Sequence, residues 1–270
     1  MSLTVVSWNV NSIRIRLNGL ARMVAALDPD VICLQETKVA DPLFPLDAVR
    51  ETGFEHILTN GVKGYGGVAI LSKLPFTWTG TRDWCDRIDA RHAAARIDAG
   101  PKLGEIEVHS LYVPAGGDIP DPDENPKFAH KLAFLDELRD WSAGLRDPER
   151  RLLLAGDFNV APLETDVWSH KQLVRVVTHT PLEVEKLNSI RDAGEWIDTL
   201  REFVPPSEHL YTWWSYRARD WQAANRGRRL DHIWASPALA PHLAGVEVLE
   251  IARGWERPSD HVPVALTLNR

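Results

Sequence analysis

The stretch 3-LTVVSWNVNSIRIRLNGLARMVAALDPDVICLQE-36 decides the fold, because its apolar residues change their spacing twice. Residues 3–8 form a continuous, mostly apolar strand candidate, which predicts a strand buried on both faces. Over residues 13–27 apolar side chains recur at helical spacing, with Ser12 or Asn11 as the expected N-cap. A second apolar run at 31–34 predicts another buried strand. The chain therefore opens β-α-β, with polar residues directly after each strand.

The same spacing rules extend this pattern along the chain. Further strands are predicted at residues 54–58, 67–71, 93–97, 105–112, 151–155, 230–235, 245–251 and 263–268. Two more helices are predicted, one over 128–145 and one near 184–193, and 114–126 and 204–229 are expected to be long loops. Many strands with few helices indicate α/β layers, with sheets inside and helices outside.

Composition limits the class of protein. The chain has 270 residues, of which 44% are hydrophobic, and no linker-like segment, so we expect one domain over 1–270. Only Cys33 and Cys85 are present, which argues against a disulfide framework and fits a reducing cytoplasm. No signal-peptide pattern and no long apolar run occur, so we expect neither export nor a membrane partner.

The charge distribution gives two opposing indications about nucleic acid. A net charge of −7 argues against nonspecific DNA binding, which depends on Lys and Arg meeting phosphates. Residues 217–229, however, hold five arginines against the single acid Asp220. This tract predicts a local basic rim beside the polar residues that follow it.

Six short polar motifs stand beside the apolar runs. They are Trp8-Asn9-Val10-Asn11, Gln35-Glu36-Thr37, Tyr112-Val113-Pro114, Gly156-Asp157-Phe158-Asn159, Leu230-Asp231-His232 and Ser259-Asp260-His261. Their positions at strand ends allow loops to gather them into one pocket. Together they offer carboxylates, amides, a phenol and an imidazole, a set that suits a divalent metal ion and a phosphate group.

The carboxylates have two interpretations each. Glu36 and Asp260 are candidate Mg²⁺ ligands, since this ion takes oxygen ligands and often only one or two protein carboxylates. The alternative for Glu36 is an ordinary ion pair with Lys38. Asp157 and Asn159 have the spacing to orient a water and a phosphate, and the alternative there is an Asx turn.

An Asp–His pair is predicted at the carboxyl-terminal end of the chain. Asp231 paired with His261 would fix the imidazole tautomer and raise its basicity, so that an imidazolium holds a phosphate oxygen. His232 lies inside a predicted strand and is interpreted as structural. The phenol of Tyr112 is a candidate donor to phosphate, although a half-buried structural tyrosine is the commoner case.

Several other activities lack their motifs. Gly64-Tyr65-Gly66-Gly67 is not a P-loop, because no Gly-Lys-Ser/Thr ending follows it. The chain has no His-Glu-x-x-His or Cys-x-x-Cys zinc motif and no Gly-x-Ser-x-Gly nucleophile elbow. Trp213, Trp214 and Trp221 lie in the arginine-rich loop, where aromatic rings are able to stack on or wedge between bases.

Read in order, these motifs closely resemble the exonuclease III family of apurinic/apyrimidinic (AP) endonucleases, within the endonuclease/exonuclease/phosphatase superfamily. The matching segments are SWNVN at 7–11, LQETK at 34–38, GYGGVA at 64–69, LYVP at 111–114, KF at 127–128, AGDFNVAP at 155–162, YTWW at 211–214, RLD at 229–231 and RPSDHVPV at 257–264. The resemblance implies a four-layer α/β sandwich, in which two packed mixed β-sheets are flanked by helices. It also implies Mg²⁺-dependent DNA cleavage, with Mn²⁺ able to substitute, by a monomer.

The resemblance further implies activity on double-stranded DNA that carries abasic sites or damaged 3′ ends. The expected reactions are incision 5′ to the abasic site, 3′–5′ exonuclease action and 3′-phosphatase action. Carried over by position, Glu36, Asp260 and the neighbouring Asn9 are the implied metal-binding residues. Asp157 would activate the water, Asn159 would orient the water and the phosphate, and Tyr112 and His261, the latter steered by Asp231, would contact the phosphate. The implied DNA contacts are Asn11, Arg91, Trp213 and Arg228.

Three positions depart from the family pattern. Many relatives carry Asn or Gln where this chain has Ala115, so one phosphate hydrogen bond is either missing or supplied by Asn125 or a backbone amide. Some relatives carry Asp in place of Asn11 and a bulky apolar wedge in place of Arg228. The competing hypotheses are a superfamily phosphatase acting on lipid or inositol substrates and a DNA-binding module without catalysis. The arginine- and tryptophan-rich loop disfavours the first, and the complete motif set disfavours the second.

Overall fold

Two six-stranded sheets pack face to face in the computed structural model, which describes residues 2–270. The strands are β1 Ser2–Asn9, β2 Val31–Gln35, β3 His56–Asn60, β4 Val68–Ser72, β5 Phe76–Thr81, β6 His92–Asp98, β7 Glu105–Tyr112, β8 Leu152–Asp157, β9 Ile197–Asp198, β10 Trp213–Trp214, β11 Gly227–Arg228, β12 Asp231–Ala235, β13 Leu243–Val248 and β14 Val264–Asn269. The α-helices are α1 Leu17–Leu27, α2 Leu46–Arg50, α3 Pro126–Ala143, α4 His170–Leu173, α5 Pro181–Gly194, α6 Thr199–Phe203 and α7 Trp221–Ala224.

Each sheet has one parallel pair of strands at its centre. The first sheet has the order β13-β14-β1-β2-β4-β3, with β1 parallel to β2. The second has the order β5-β6-β7-β8-β12-β9, with β7 parallel to β8. The other pairings in both sheets are antiparallel. Because α1 and α3 make the two parallel crossovers, each lies on the outer face of its own sheet.

Apolar side chains fill three layers between these elements. The inner layer lies between the sheets, where Val5 and Cys33 of the first meet Val108 and Ala155 of the second. Outside the first sheet, Trp8 and Leu34 pack with Leu20 and Met23 of α1. Outside the second, Leu154 and Trp234 pack with α3 and α5 through Phe134, Leu138 and Ile190. The central strands are therefore apolar on both faces, and the predicted four-layer α/β sandwich is confirmed.

Strand register explains why polar motifs distant in sequence meet in space. Asn9 pairs with Gln35 where the parallel strands β1 and β2 end, which puts Glu36 next to Asn9. Tyr112 pairs with Asp157 where β7 and β8 end, and the antiparallel β12 begins opposite with Asp231 paired to Asp157. All these ends face the same side of the sandwich.

Three local predictions differ from the structure. Ser12 makes no side-chain cap and lies at φ 87°; a 3₁₀ turn occupies Ile13–Ile15, and α1 begins only at Leu17. Strand β5 is not predicted from the sequence, because it is an exposed edge without a continuous apolar run. The segment 204–229 is not one loop, since β10 and β11 pair with each other and α7 lies between them. Two-residue strands are too short to show a period.

The described helices also bear on membranes. Among residues 2–270, no helix combines the length and apolar character needed to cross a bilayer.

Candidate active site

Asn9 lies at the centre of a buried polar cluster. Its side-chain amide donates to Glu36 Oε1 at 2.9 Å and to Asp157 Oδ2 at 2.8 Å. The backbone carbonyl of Asn9 accepts from Ser259 Oγ at 2.7 Å, which ties the end of β1 to the segment before β14. One amide therefore joins carboxylates from both sheets, and we find the Glu36 and Asp157 motifs in one cleft.

The expected hydrogen bond between Asp231 and His261 is present. His261 Nδ1 lies 2.8 Å from Asp231 Oδ2, and His261 Nε2 lies 3.7 Å from Asp157 Oδ2. Burial lowers the pKa of His261, but the carboxylates of Asp231 and Asp157 outweigh burial and raise it well above the ordinary histidine value. The imidazole is therefore held as a cation that faces the cleft.

Thr212 completes this arrangement and was not singled out from the sequence. Its hydroxyl donates to Asp231 Oδ2 at 2.6 Å and accepts from the backbone amides of Leu230 and Asp231. The side chain thus fixes the carboxylate that fixes the imidazole. Its position in the Tyr-Thr-Trp-Trp motif was the available signal, since polar residues beside such a motif often support its neighbours.

Asp157 uses its two carboxylate oxygens differently. Its Oδ1 accepts from the backbone amide of Asn159 at 2.9 Å, which is the Asx turn offered as the alternative. Its Oδ2 accepts from Asn159 Nδ2 at 3.1 Å and faces His261. Burial raises the pKa of Asp157, while the imidazolium of His261 opposes that rise. The Asx turn is therefore present, and the role of the second oxygen in orienting water stays a prediction.

Tyr112 points its phenol toward the same carboxylates. Burial raises its pKa well above the ordinary tyrosine value, and the charges of Glu36 and Asp157 raise it further, so the phenol stays protonated. The Arg91 guanidinium lies 4.8 Å from the centre of the Tyr112 ring and is paired with Asp89. Arg91 therefore packs against the Tyr112 ring at the edge of the cleft.

The residues present fit a hard divalent cation. Carboxylate oxygens of Glu36 and Asp157 and a ring nitrogen of His261 lie within 4.8 Å of one another. Because His261 is held as a cation, the two carboxylates and not the imidazole offer ligand atoms to a metal ion. Burial raises the pKa of Glu36, but hydrogen bonds from Asn9 and Lys38 lower it more, so this carboxylate is ionised. Lys38 Nζ lies 2.7 Å from Glu36 Oε2, so the alternative ion pair also exists. The ammonium group of Lys38 therefore already lies where the carboxylate oxygens attract positive charge.

Asp260 lies beside this group rather than in it. Its Oδ1 accepts from Asn11 Nδ2 at 2.9 Å and its Oδ2 accepts from Trp213 Nε1 at 3.0 Å. Asn11 Oδ1 in turn accepts from Lys38 Nζ at 2.6 Å. Burial raises the pKa of Asp260, but His261 and the hydrogen bonds from Asn11 and Trp213 lower it below its usual value. The predicted metal residues thus form one connected network.

Trp213 and Arg228 form a wall beyond Asp260. The guanidinium of Arg228 lies 5.3 Å from the centre of the Trp213 ring and donates to Val177 O and Thr178 Oγ1. A cavity of about 680 Å³ opens beside this wall, and exposed Arg217, Arg219 and Arg226 line it. These arginines form the predicted basic rim.

Arg229, the fifth arginine of that tract, does not belong to the basic rim that the sequence predicts. It is fully buried, forms a two-bond ion pair with Asp166 and also donates to Asp198. A guanidinium without solvent contact adds nothing to a surface that meets phosphates. Sequence proximity to the other arginines gave no sign of this difference.

Asn125 does not replace the phosphate contact of the Asn or Gln that many relatives carry at the position of Ala115. Its amide nitrogen donates to the carbonyls of Gly116 and Ile119, and its oxygen accepts from the backbone amide of Lys127. Asn125 therefore caps α3 and closes the loop before it. Of the two substitutes expected from the sequence, only a backbone amide remains.

Comparison with known proteins identifies the family. The profile of the endonuclease/exonuclease/phosphatase family matches residues 6–261, which include every motif of the cleft. The chain belongs to this family. It is similar to exodeoxyribonuclease III of Haemophilus influenzae, with 30% identity over 96% of this chain and 97% of that protein. The predicted exonuclease III type is thereby confirmed, and the chain is a nuclease.

Two solved structures share the whole architecture. An AP endonuclease from Archaeoglobus fulgidus is 32% identical, with a TM-score of 0.89 over 99% of this chain and 100% of that one. The 3′ phosphatase NExo from Neisseria, solved with a product DNA hairpin, is 30% identical, with a TM-score of 0.87 over the same shares. The family is metal-dependent, in agreement with the acidic cluster at Glu36 and Asp157.

Proposed function

We propose that this chain hydrolyses phosphodiesters of damaged double-stranded DNA, on the 5′ side of abasic sites and at 3′ ends that carry blocking groups. The observation that carries the proposal is the cluster in which Asn9 joins Glu36 to Asp157 while the imidazolium of His261 faces Asp157. Oxygen ligands and a fixed cation beside one another suit a phosphate whose charge increases during attack. The relatives named for AP endonuclease and 3′ phosphatase activity support the choice of substrates.

Mg²⁺ is the proposed ion, with Mn²⁺ as a substitute, and Glu36, Asp260 and Asn9 would hold it. When bound, the ion supplies positive charge to the phosphate and to the leaving oxygen. A tightly hydrated, oxygen-preferring ion fits a site that offers few protein carboxylates.

The chain's own residues divide the remaining work. Asp157 accepts a proton from the attacking water, and its raised pKa makes it a better base than an exposed aspartate. Asn159 is proposed to orient that water through its side-chain oxygen, because its amide nitrogen already donates to Asp157 Oδ2 and to the Val113 carbonyl. His261, held by Asp231, and the protonated phenol of Tyr112 donate to nonbridging phosphate oxygens. Asn11, Arg91, Trp213 and Arg228 are proposed DNA contacts at the two sides of the cleft.

The test uses purified protein on three duplexes, one with a single abasic analogue, one with a 3′-phosphate and one with a recessed 3′ end. Cleavage is expected with Mg²⁺ and should stop when a chelator is added. Asp157→Ala is expected to lower the rate by about a hundredfold or more, since it removes the base. The control is Asp47→Ala, because the side chain of Asp47 is 98% exposed on α2. Equal rates for the two variants would refute the assignment.

A further inference from the structure

Lys131 and Glu183 form an ion pair that the proposed reaction does not use. Both side chains are completely buried, and they join α3 to α5 behind the cleft. Desolvation offsets much of the attraction in such a pair, and apolar side chains of similar size often stabilise a fold as well. Stability alone therefore does not explain a charged pair at this position. The other contacts of Lys131 and Glu183 indicate what else the pair does.

The ammonium group of Lys131 reaches two loops of the cleft. Besides Glu183, its Nζ donates to the carbonyl of Asn159 at 2.7 Å and lies 3.4 Å from the carbonyl of Ala115. Asn159 has a φ of 52°, a left-handed conformation that asparagine adopts more readily than most residues. Lys131 thus fixes the backbone of the Asn159 turn and of the loop that follows Tyr112.

Glu183 holds a third loop, mainly with Oε2, the carboxylate oxygen that does not accept from Lys131. Its carboxylate accepts from the backbone amides of Thr178 and Thr180 and from the hydroxyl of Thr180. Thr178 Oγ1 in turn accepts from Arg228 at 2.7 Å, and the Thr178 carbonyl accepts from the amide of Ala161 at 2.7 Å. The loop that anchors Arg228 is therefore tied to the same carboxylate.

We propose that Lys131 and Glu183 form a positioning clasp, which holds Asn159 and the Arg228–Trp213 wall at a fixed distance across the bound nucleotide. The inference rests on the proposed function, because it takes its meaning from the roles of Asn159 and Arg228 there. The capping box between Thr180 and Glu183 would by itself stabilise the start of α5. It needs no lysine, so the contacts of Lys131 identify the added role.

The first test compares Lys131→Met with Ser142→Ala. Methionine keeps the length of the lysine stem but cannot donate to Asn159. Ser142 is a matched control, because it is buried between the same two helices, at the end remote from the cleft, where it contacts Ile190 and Trp196. The double variant Lys131→Met/Glu183→Gln removes both charges and serves if the single variant fails to fold.

The substrate is a duplex with one abasic analogue, assayed below the melting temperature of every variant. Loss of the clasp should lower kcat about tenfold, because a small displacement of an orienting group is costly, while Ser142→Ala keeps the kcat of the parent protein. Hydrogen exchange gives a readout independent of turnover. The amides of residues 158–161 and 177–180 should exchange faster in the Lys131 variants and not in Ser142→Ala.

The possible outcomes separate the two proposals. If the parent protein does not cleave DNA in the presence of metal, the proposed function fails, and the exchange data still show whether the clasp orders the loops. If the parent protein cleaves but the Lys131 variants match Ser142→Ala in kcat and exchange, the pair is only structural and the clasp is refuted. Lower kcat together with faster exchange in both segments supports it.

Discussion

At the scale of single residues, the charge on His261 depends on its two carboxylate neighbours. Asp231 Oδ2 accepts from Nδ1, Asp157 lies near Nε2, and Thr212 donates to the same Oδ2 of Asp231. Burial alone would lower the pKa of this imidazole. Its cationic state is therefore a product of the arrangement and not of the residue type.

The first prediction replaces Asp231 with asparagine. Asp231→Asn removes the negative charge that holds the proton on His261, so the imidazole loses much of its ability to stabilise a charged phosphate. We expect a fall in kcat of about a hundredfold, measured under single-turnover conditions on the abasic duplex. Thr212→Ser, which keeps the hydroxyl, is the control and should retain most of the rate. A value for Asp231→Asn within threefold of the parent would contradict this role.

Single residues also mark the limit of sequence interpretation. Glu36, Asp157 and His261 were predicted from their positions at strand ends, and the structure brings them within 4.8 Å. Asn125 was offered as a phosphate donor, yet its amide is used by two loop carbonyls. A motif tells which groups are available, whereas the partners that already occupy them depend on distant parts of the chain.

At the scale of elements, the parallel pair β7–β8 positions Tyr112 beside Asp157. Gly156 allows this pair to approach closely, because a Cβ at that position would lie 1.9 Å from the carbonyl oxygen of Leu111. The φ of Gly156 is 159°, at the margin of the region open to other residues, so the close approach is the stronger constraint. The close approach of β7 and β8 therefore depends on glycine at position 156.

The second prediction follows from this contact. Gly156→Ala forces the two strands apart and should lower the free energy of unfolding by about 3 kcal/mol or more, since overpacking of a buried strand is costly. Gly245→Ala is the matched control, because a Cβ there meets nothing within 4 Å. Denaturant unfolding followed by circular dichroism measures both. Similar losses in the two variants would show that β7 and β8 tolerate separation.

At the scale of the whole molecule, the negative net charge and the basic cleft have separate effects. The chain carries −7 overall, while Arg217, Arg219 and Arg226 are exposed around one cavity. Local arginines attract a phosphate backbone even when the remaining surface repels it. DNA is therefore expected to bind in one orientation rather than over the whole surface.

The third prediction concerns salt. Arg217→Ala/Arg219→Ala should weaken binding to a duplex and reduce the slope of log affinity against log salt by about two, one for each lost phosphate contact. The control is Arg50→Ala/Arg139→Ala, which removes two half-exposed arginines of α2 and α3 outside the cavity. Fluorescence anisotropy at several salt concentrations gives both slopes. An unchanged slope for the first variant would exclude these arginines from the interface.

The fourth prediction concerns acid stability. Burial, with the charge of Arg229, lowers the pKa of His232 to about 3, whereas in the unfolded chain it is about 6.5. Between about pH 6.5 and about pH 3, only the unfolded state binds a proton on this imidazole. The free energy of unfolding therefore falls as the pH is lowered through this range, and the loss is about 2 kcal/mol at pH 5. His232→Gln keeps a donor for Val160 O and should remove that loss.

The measurement is denaturant unfolding at pH 7 and pH 5 for the parent and both variants. His209→Gln is the control, because it removes one histidine from an exposed position. If His232→Gln loses as much stability on acidification as the parent protein does, the acid sensitivity has another source.

The sequence by itself determined the α/β class, the position of the polar motifs at strand ends and the residue types that suit a metal ion and a phosphate. Apolar runs and their spacing are local properties, so a single chain carries them openly. Strand β5 is not predicted from the sequence, because an exposed edge has little apolar pattern. The burial of Arg229 is not predicted either, because it depends on which elements cover the side chain.

Only the tertiary structure decided that Thr212 supports Asp231, that Arg229 is an internal ion pair and that Lys131 reaches Asn159. Each of these contacts joins side chains from separate elements, across distances in the sequence that no local period encodes. Their energies depend on burial and on exact partners, which exist only after both sheets have packed.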